Sequence, residues 1–177
     1  MKRIIFLVIS LICIFTMSSC SALIELIIPT LSVEEAITKT IAHTIYDGSV
    51  TVFEDTHGGF HGDGWIYAEI KFRDDQFLND VRHEWKPLPL TDSLNAVCYG
   101  TADSNGDHFA PHIKDGEGNA RLPDIKNGYY YFKDNYNSEY VKDRYDDSEF
   151  LHRSSVNYTL AIYDTDTKTL YVFKFDT

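Results

Sequence analysis

Five side chains on two stretches broken by glycine and proline have the types that hold a metal ion. They are His57, His61 and Asp63 within Asp55-Thr56-His57-Gly58-Gly59-Phe60-His61-Gly62-Asp63-Gly64, and His108 and His112 further along. Imidazoles with a carboxylate form a zinc donor set, and a catalytic zinc keeps one position for a water that it activates. Both histidine pairs are spaced i, i+4, which on a helix aims two rings at one ion. Gly58-Gly59 and Pro111 disfavour a helix at either place. The competing expectation is that these are loop histidines facing water. The reading taken requires no cofactor, with a divalent metal on these five residues as its alternative.

Other chemistry-bearing patterns are weaker. Asp103-Ser104-Asn105-Gly106-Asp107 opens like a calcium loop, but His108 stands where the turn glycine belongs and Lys114 where the bidentate glutamate belongs. Asp143, Asp146, Asp147 and Glu149 cluster near tyrosines. Glycoside hydrolysis needs two carboxyls about 5–9 Å apart across a cleft, and a solvated acidic loop explains the same run. Asp164-Thr165-Asp166 reads as turn chemistry. Tyr129-Tyr130-Tyr131-Phe132 offers a stacking platform for sugar or peptide, or a strand with one face in the core. Cys98 lies in an apolar run and reads as a small buried hydrophobe rather than a nucleophile. The chain contains no Gly-x-Ser-x-Gly, Walker loop, dinucleotide fingerprint or Cys-x-x-Cys.

The elements that must position these residues follow from periodicity. Ser32-Val33-Glu34-Glu35 is a capping box, followed by Val33, Ala36, Ile37, Thr40, Ile41 and Ile45 at helical spacing and a stop at Asp47-Gly48. Residues 49–55 and 65–72 read as a hairpin around the glycine-rich loop. Asp74 or Asp75 caps a second helix carrying Phe77, Leu78, Val81 and Trp85, which Pro87 and Pro89 end. Residues 94–99 read as a strand, 101–124 as loop, 128–133 as an aromatic strand and 134–149 as a polar stretch. Residues 156–163 and 170–175 flank a turn as the clearest hairpin. The expected class is α+β: an antiparallel sheet of about four to six strands with about two helices packed on one face.

The first residues carry an address. Met1-Lys2-Arg3 is a positive n-region and residues 4–16 are a continuous apolar run, short for a membrane span. Met17-Ser18-Ser19-Cys20 resembles the bacterial lipobox, which implies diacylglyceryl transfer to the Cys20 thiol and cleavage before it. The organisation expected is a signal peptide over 1–19, a lipidated Cys20 with a tether over 20–31, and one globular domain over 32–177. Net charge is −11; losing residues 1–19 removes Lys2 and Arg3 and no acid, which leaves −13. A surface so acidic repels phosphate backbones and excludes nucleic acid as a partner.

The stretch from Asp55 to Gly64, together with Trp85-Lys86-Pro87-Leu88-Pro89-Leu90 and Tyr158-Thr159-Leu160-Ala161-Ile162-Tyr163-Asp164-Thr165-Asp166, resembles small uncharacterised lipoproteins of low-GC Gram-positive bacteria. That resemblance covers nearly the whole chain and implies a location, the extracytoplasmic face of the cell membrane, without an activity. The functional expectation is a lipid-anchored, non-enzymatic binding or accessory domain with a protein or carbohydrate ligand. Its alternatives are a metal-dependent hydrolase using His57 and His61, and an acidic inhibitor of immunity type.

Overall fold

The C-terminal hairpin forms the middle of a six-stranded antiparallel sheet in this computed structural model, which describes residues 32–57, 63–102, 108–136, 139 and 141–177. The leader, Cys20, the tether, His61 and the calcium-like run 103–107 lie outside the described residues. Val33–Thr177 makes one compact unit. No helix among the described residues is long and apolar enough to cross a membrane.

Helix α1 (Val33–Ile41) has Glu34 and Glu35 in its first turn and Lys39 in its last, each sign matched to the helix dipole. Its buried residues are Ile37 and Ile41. The helical spacing predicts another turn to Ile45, but Ala42 adopts φ 57° and ends the helix there. Ile45 still reaches the core, through the turn closed by the Gly48 N–H on its carbonyl at 3.3 Å.

Strands β1 (Ser49–Asp55) and β2 (Gly64–Lys71) pair in the expected hairpin, with a bulge between Val50 and Val52. Helix α2 (Gln76–Val81) starts where the Asp74 carboxylate takes the Gln76 N–H at 2.9 Å, and it buries Phe77 and Val81. A short strand β3 (Lys86–Pro87) follows.

The strand expected over residues 94–99 is instead helix α3 (Asp92–Tyr99). Thr91 caps it by accepting the Leu94 N–H at 3.3 Å, and Gly100 closes it at φ 74°. Buried Leu94, Val97 and Cys98 are spaced i, i+3, i+4, so the apolar run was one helical face, which a window of six residues does not distinguish from a strand.

The expected loop 101–124 contains two pieces of order. Strands β4 (Thr101–Ala102) and β5 (His108–Phe109) pair, and residues 113–121 form a tight hairpin. In that hairpin the Arg121 N–H bonds the Ile113 carbonyl and the Asp115 N–H bonds the Asn119 carbonyl, both at 2.9 Å. Strand β6 (Gly128–Asp134), a 3-10 turn (Phe150–His152), β7 (Tyr158–Asp164) and β8 (Thr169–Asp176) complete the domain.

The sheet order is β1-β2-β8-β7-β6-β3, antiparallel throughout. The α+β class and the sheet are as expected, and α1 and α2 share a face over Ala68, Ile70, Tyr163, Leu170 and Val172. The third helix covers the opposite face, against Tyr67, Tyr130, Phe132, Tyr158, Leu160, Ile162 and Phe173. Side chains alternate between these two cores along β2, β6, β7 and β8, and β7 is buried from end to end.

Candidate functional site

Of the five histidine-loop candidates, the described side chains of His57, Asp63 and His112 do not come together, and His61 lies outside the described residues. His57 follows β1 and is clamped between two carboxylates: Nδ1 lies 2.7 Å from Asp55 Oδ1 and Nε2 lies 3.0 Å from Asp176 Oδ2. Lys174 bonds the same Asp176 oxygen. Both ring nitrogens are engaged by carboxylates, so neither is turned toward a metal. Burial pushes the Asp55 carboxyl up. The His57 N–H and ring bonds, with the His57 and Lys174 charges, outweigh it and hold the group below its usual range. Asp63 is exposed beside Gly64, where an added Cβ would stand 2.8 Å from the His57 backbone nitrogen.

His112 lies elsewhere. Its Nδ1 is 2.9 Å from the Tyr158 hydroxyl, and its ring stacks on Phe175 with centroids 5.0 Å apart. Burial, aided by the Lys114 charge, lowers its pKa and so disfavours the charged ring. His57 thus touches Asp176 and His112 touches Phe175, successive residues of β8 whose side chains point to opposite faces. His108 contributes its backbone to β5. Among the described residues no group of three or more His, Cys, Asp or Glu is placed to hold a metal.

The His57 bridge makes a testable statement. Its side chains are partly exposed, so chemical denaturation of His57→Ala should show about 1 kcal/mol lost, equally with and without chelator. A loss that appears only when a divalent metal is present would return His57 to the metal reading.

The acidic run lines a hollow of about 620 Å³ with Asp134, Asp143, Asp146, Glu149 and Arg153. Turns and an ion pair engage three of its carboxylates, those of Asp134, Asp143 and Asp146. Asp143 and Asp146 accept the Tyr145 and Ser148 N–H groups at 2.8 and 3.0 Å, and buried Asp134 accepts the Arg153 guanidinium at 2.7 Å. Hydrogen bonds from Ser148 hold the Asp146 carboxyl low, the opposite of what a general acid needs. Asp147, also buried, accepts the Thr91 hydroxyl. Asp164 organises the β7–β8 turn by accepting the Asp166 N–H at 2.9 Å and the Thr167 hydroxyl at 2.7 Å. In the aromatic strand β6, Tyr130 and Phe132 go into one core and Tyr129 and Tyr131 pack on the other. Cys98 is fully buried with its thiol pushed up to about 12 by that burial, so it is no thiolate nucleophile.

The arrangement best suited to a ligand contains one of the sequence candidates, His112, and otherwise lies outside them. A groove of about 560 Å³ lies over the α3 face of the sheet, between β1, β2 and β8 and the 113–121 hairpin. Its floor is aromatic. Half-buried Trp65 lies near-parallel to Phe173 (6.4 Å, 30°), and Phe173 to Phe175 (6.0 Å, 21°). The array ends at His112.

One wall of the groove is charged. Register pairs Glu54 on β1 with Tyr67 on β2, and Arg121 reaches across both. Its guanidinium carbon sits 3.9 Å above the Tyr67 ring, and Nη1 and Nη2 bond the two Glu54 oxygens at 2.8 and 2.7 Å. That fork lowers the Glu54 pKa and raises that of Arg121. The Tyr67 hydroxyl is taken by Glu69 at 2.8 Å. At the rim, Asp115 accepts the Glu117 and Asn119 N–H groups, both at 2.9 Å, which fixes the hairpin tip.

The one available signal was Asp115-Gly116-Glu117-Gly118-Asn119, a turn composition whose flanks had to meet as a hairpin. Family models, curated proteins and solved structures were all compared with this chain, and nothing in them matches it.

Proposed function

We propose that this chain is an exported lipoprotein, held at the outer face of the cell membrane through Cys20, whose domain binds a small ligand without transforming it. The observation that carries the binding half is the Trp65 groove: an apolar ring floor with a few fixed polar groups converging on it, in the size range of small-molecule sites. The anchoring half rests on the leader and the lipobox-like Met17-Ser18-Ser19-Cys20. Several acyl chains at about 0.8 kcal/mol per buried methylene hold such a domain firmly at a bilayer.

Two measurements test the two halves separately. Detergent-phase partitioning in a bacterial host should place the wild type with membranes and release Cys20→Ala to the aqueous phase. Ligand-observed magnetic resonance with a set of small ring-bearing fragments should give hits that Trp65→Ala abolishes. Hits that survive Trp65→Ala, or no hits at all, would remove the groove as the site.

A further inference from the structure

We infer that the Trp65 groove takes a neutral oligosaccharide, an inference that rests on the binding reading above and narrows it to one chemical class. Three features on the groove lead there. The first is the floor. Half-buried Trp65 ends a row of near-parallel rings and is flanked by buried Phe173 on the neighbouring strand, which holds its indole in place at the groove. A pyranose has a face of C–H groups that complements an indole plane, with hydroxyls projecting around its perimeter.

The second feature is the charge at the rim. Glu54 and Asp115 stand with Lys114 and Arg121, two acids and two bases, in a chain whose net charge is −11. A site for an anion or a cation concentrates one sign. This rim is balanced, and what it offers is hydrogen-bonding capacity. Each Glu54 oxygen accepts one bond from Arg121 and keeps a further lone pair, and the guanidinium retains N–H groups beyond the two it donates to Glu54. A donor and an acceptor fixed side by side suit adjacent hydroxyls on one ring.

The third feature is preorganisation. Arg121 is held from below by Tyr67 and from the side by Glu54, and Asp115 is held by two backbone N–H groups. Little side-chain freedom is left to lose when a ligand arrives. The groove is also open to solvent, which lets a chain of sugars enter with its ends free.

The test is calorimetric titration of the full-length lipidated protein in zwitterionic nanodiscs with cellotetraose, chitotetraose, xylotetraose, maltotetraose and mannotetraose. At least one should bind saturably. Its affinity should fall about tenfold or more in Trp65→Ala, stay within about threefold in Trp65→Phe, and hold constant as salt is raised. Unfolding curves of both variants check that the domain is intact.

If none of the five binds while the aromatic fragments still compete at Trp65, the sugar inference is overturned and the groove stands. If neither sugars nor fragments bind, both fall. A sugar that binds wild type and Trp65→Ala equally well would lie elsewhere on the domain and also overturn the inference.

Discussion

Replacing Gly128 by alanine is expected to cost the domain about 3–5 kcal/mol, measured as a lowered urea midpoint with unchanged slope. Gly128 opens β6 opposite Asp164 on β7, and the strands approach so closely there that a Cβ would stand 2.0 Å from the Tyr163 carbonyl oxygen. That oxygen belongs to the backbone of a strand buried along its whole length, so it cannot swing aside. Gly128 is also tied on its other flank, where its carbonyl accepts the Leu88 N–H at 3.0 Å. Relief would require parting β6 from β7, and with it a core that holds Tyr130, Phe132, Leu160 and Ile162. Gly116 is the internal control: nothing lies within 4 Å of its added Cβ. Gly116→Ala should therefore stay within about 0.5 kcal/mol of wild type. A Gly128→Ala protein as stable as Gly116→Ala would refute the tight β6–β7 approach.

Alkali should unfold the domain cooperatively between about pH 10 and 12. Burial pushes the hydroxyls of Tyr99, Tyr131 and Tyr163 and the thiol of Cys98 up to about 12. Burial raises Tyr67 and Tyr158 further still, Tyr67 with help from its bond to Glu69. In the unfolded chain tyrosines ionise near 10 and cysteine near 8.5. The folded pKa values are the higher ones, so the stability is fully present below the unfolded values. It is lost as pH rises toward the folded ones, because the unfolded state releases its protons first.

Each such group costs about 1.4 kcal/mol per pH unit inside its window. Half a dozen together consume an ordinary stability of about 5–15 kcal/mol near pH 11. The tyrosinate absorbance of these buried rings, beyond that of exposed ones such as Tyr46 and Tyr145, should therefore rise in the same steep transition in which far-ultraviolet dichroism is lost. Titration of all the tyrosines near pH 10 with the dichroism intact would show that the rings are solvated.

Hairpins were legible in the sequence because their information is local: alternation in two runs and an aspartate-rich turn between them. The β7–β8 pairing and the β1–β2 pairing came out within a residue or two of the expected bounds. Helix α2 was legible from its Asp start and its Phe77, Val81 spacing, but it stops at Val81, short of the expected Trp85, and Pro87 lies in strand β3. Helix α3 was not, since six apolar residues fit both periods and the deciding signal was the Thr91 cap.

The candidate site was hidden for a different reason. Trp65, Glu54 and Arg121 each look ordinary, and only the register of β1 on β2 and the closing of the 113–121 hairpin put them around one groove. His57 shows the converse. Its loop looked like a place for chemistry, but its partner Asp176 lies 119 residues away, and no spacing rule connects the two.

The order of the sheet also sets when the domain can form. β7 and β8 are the last strands along the chain, yet they sit in the middle, between β2 on one side and β6 on the other. Until β7 and β8 lie between them, the β1–β2 hairpin and the β6–β3 pair have no common edge. Closure of the sheet is then one late event dominated by distant contacts, with the β7–β8 hairpin as the piece that joins two half-sheets.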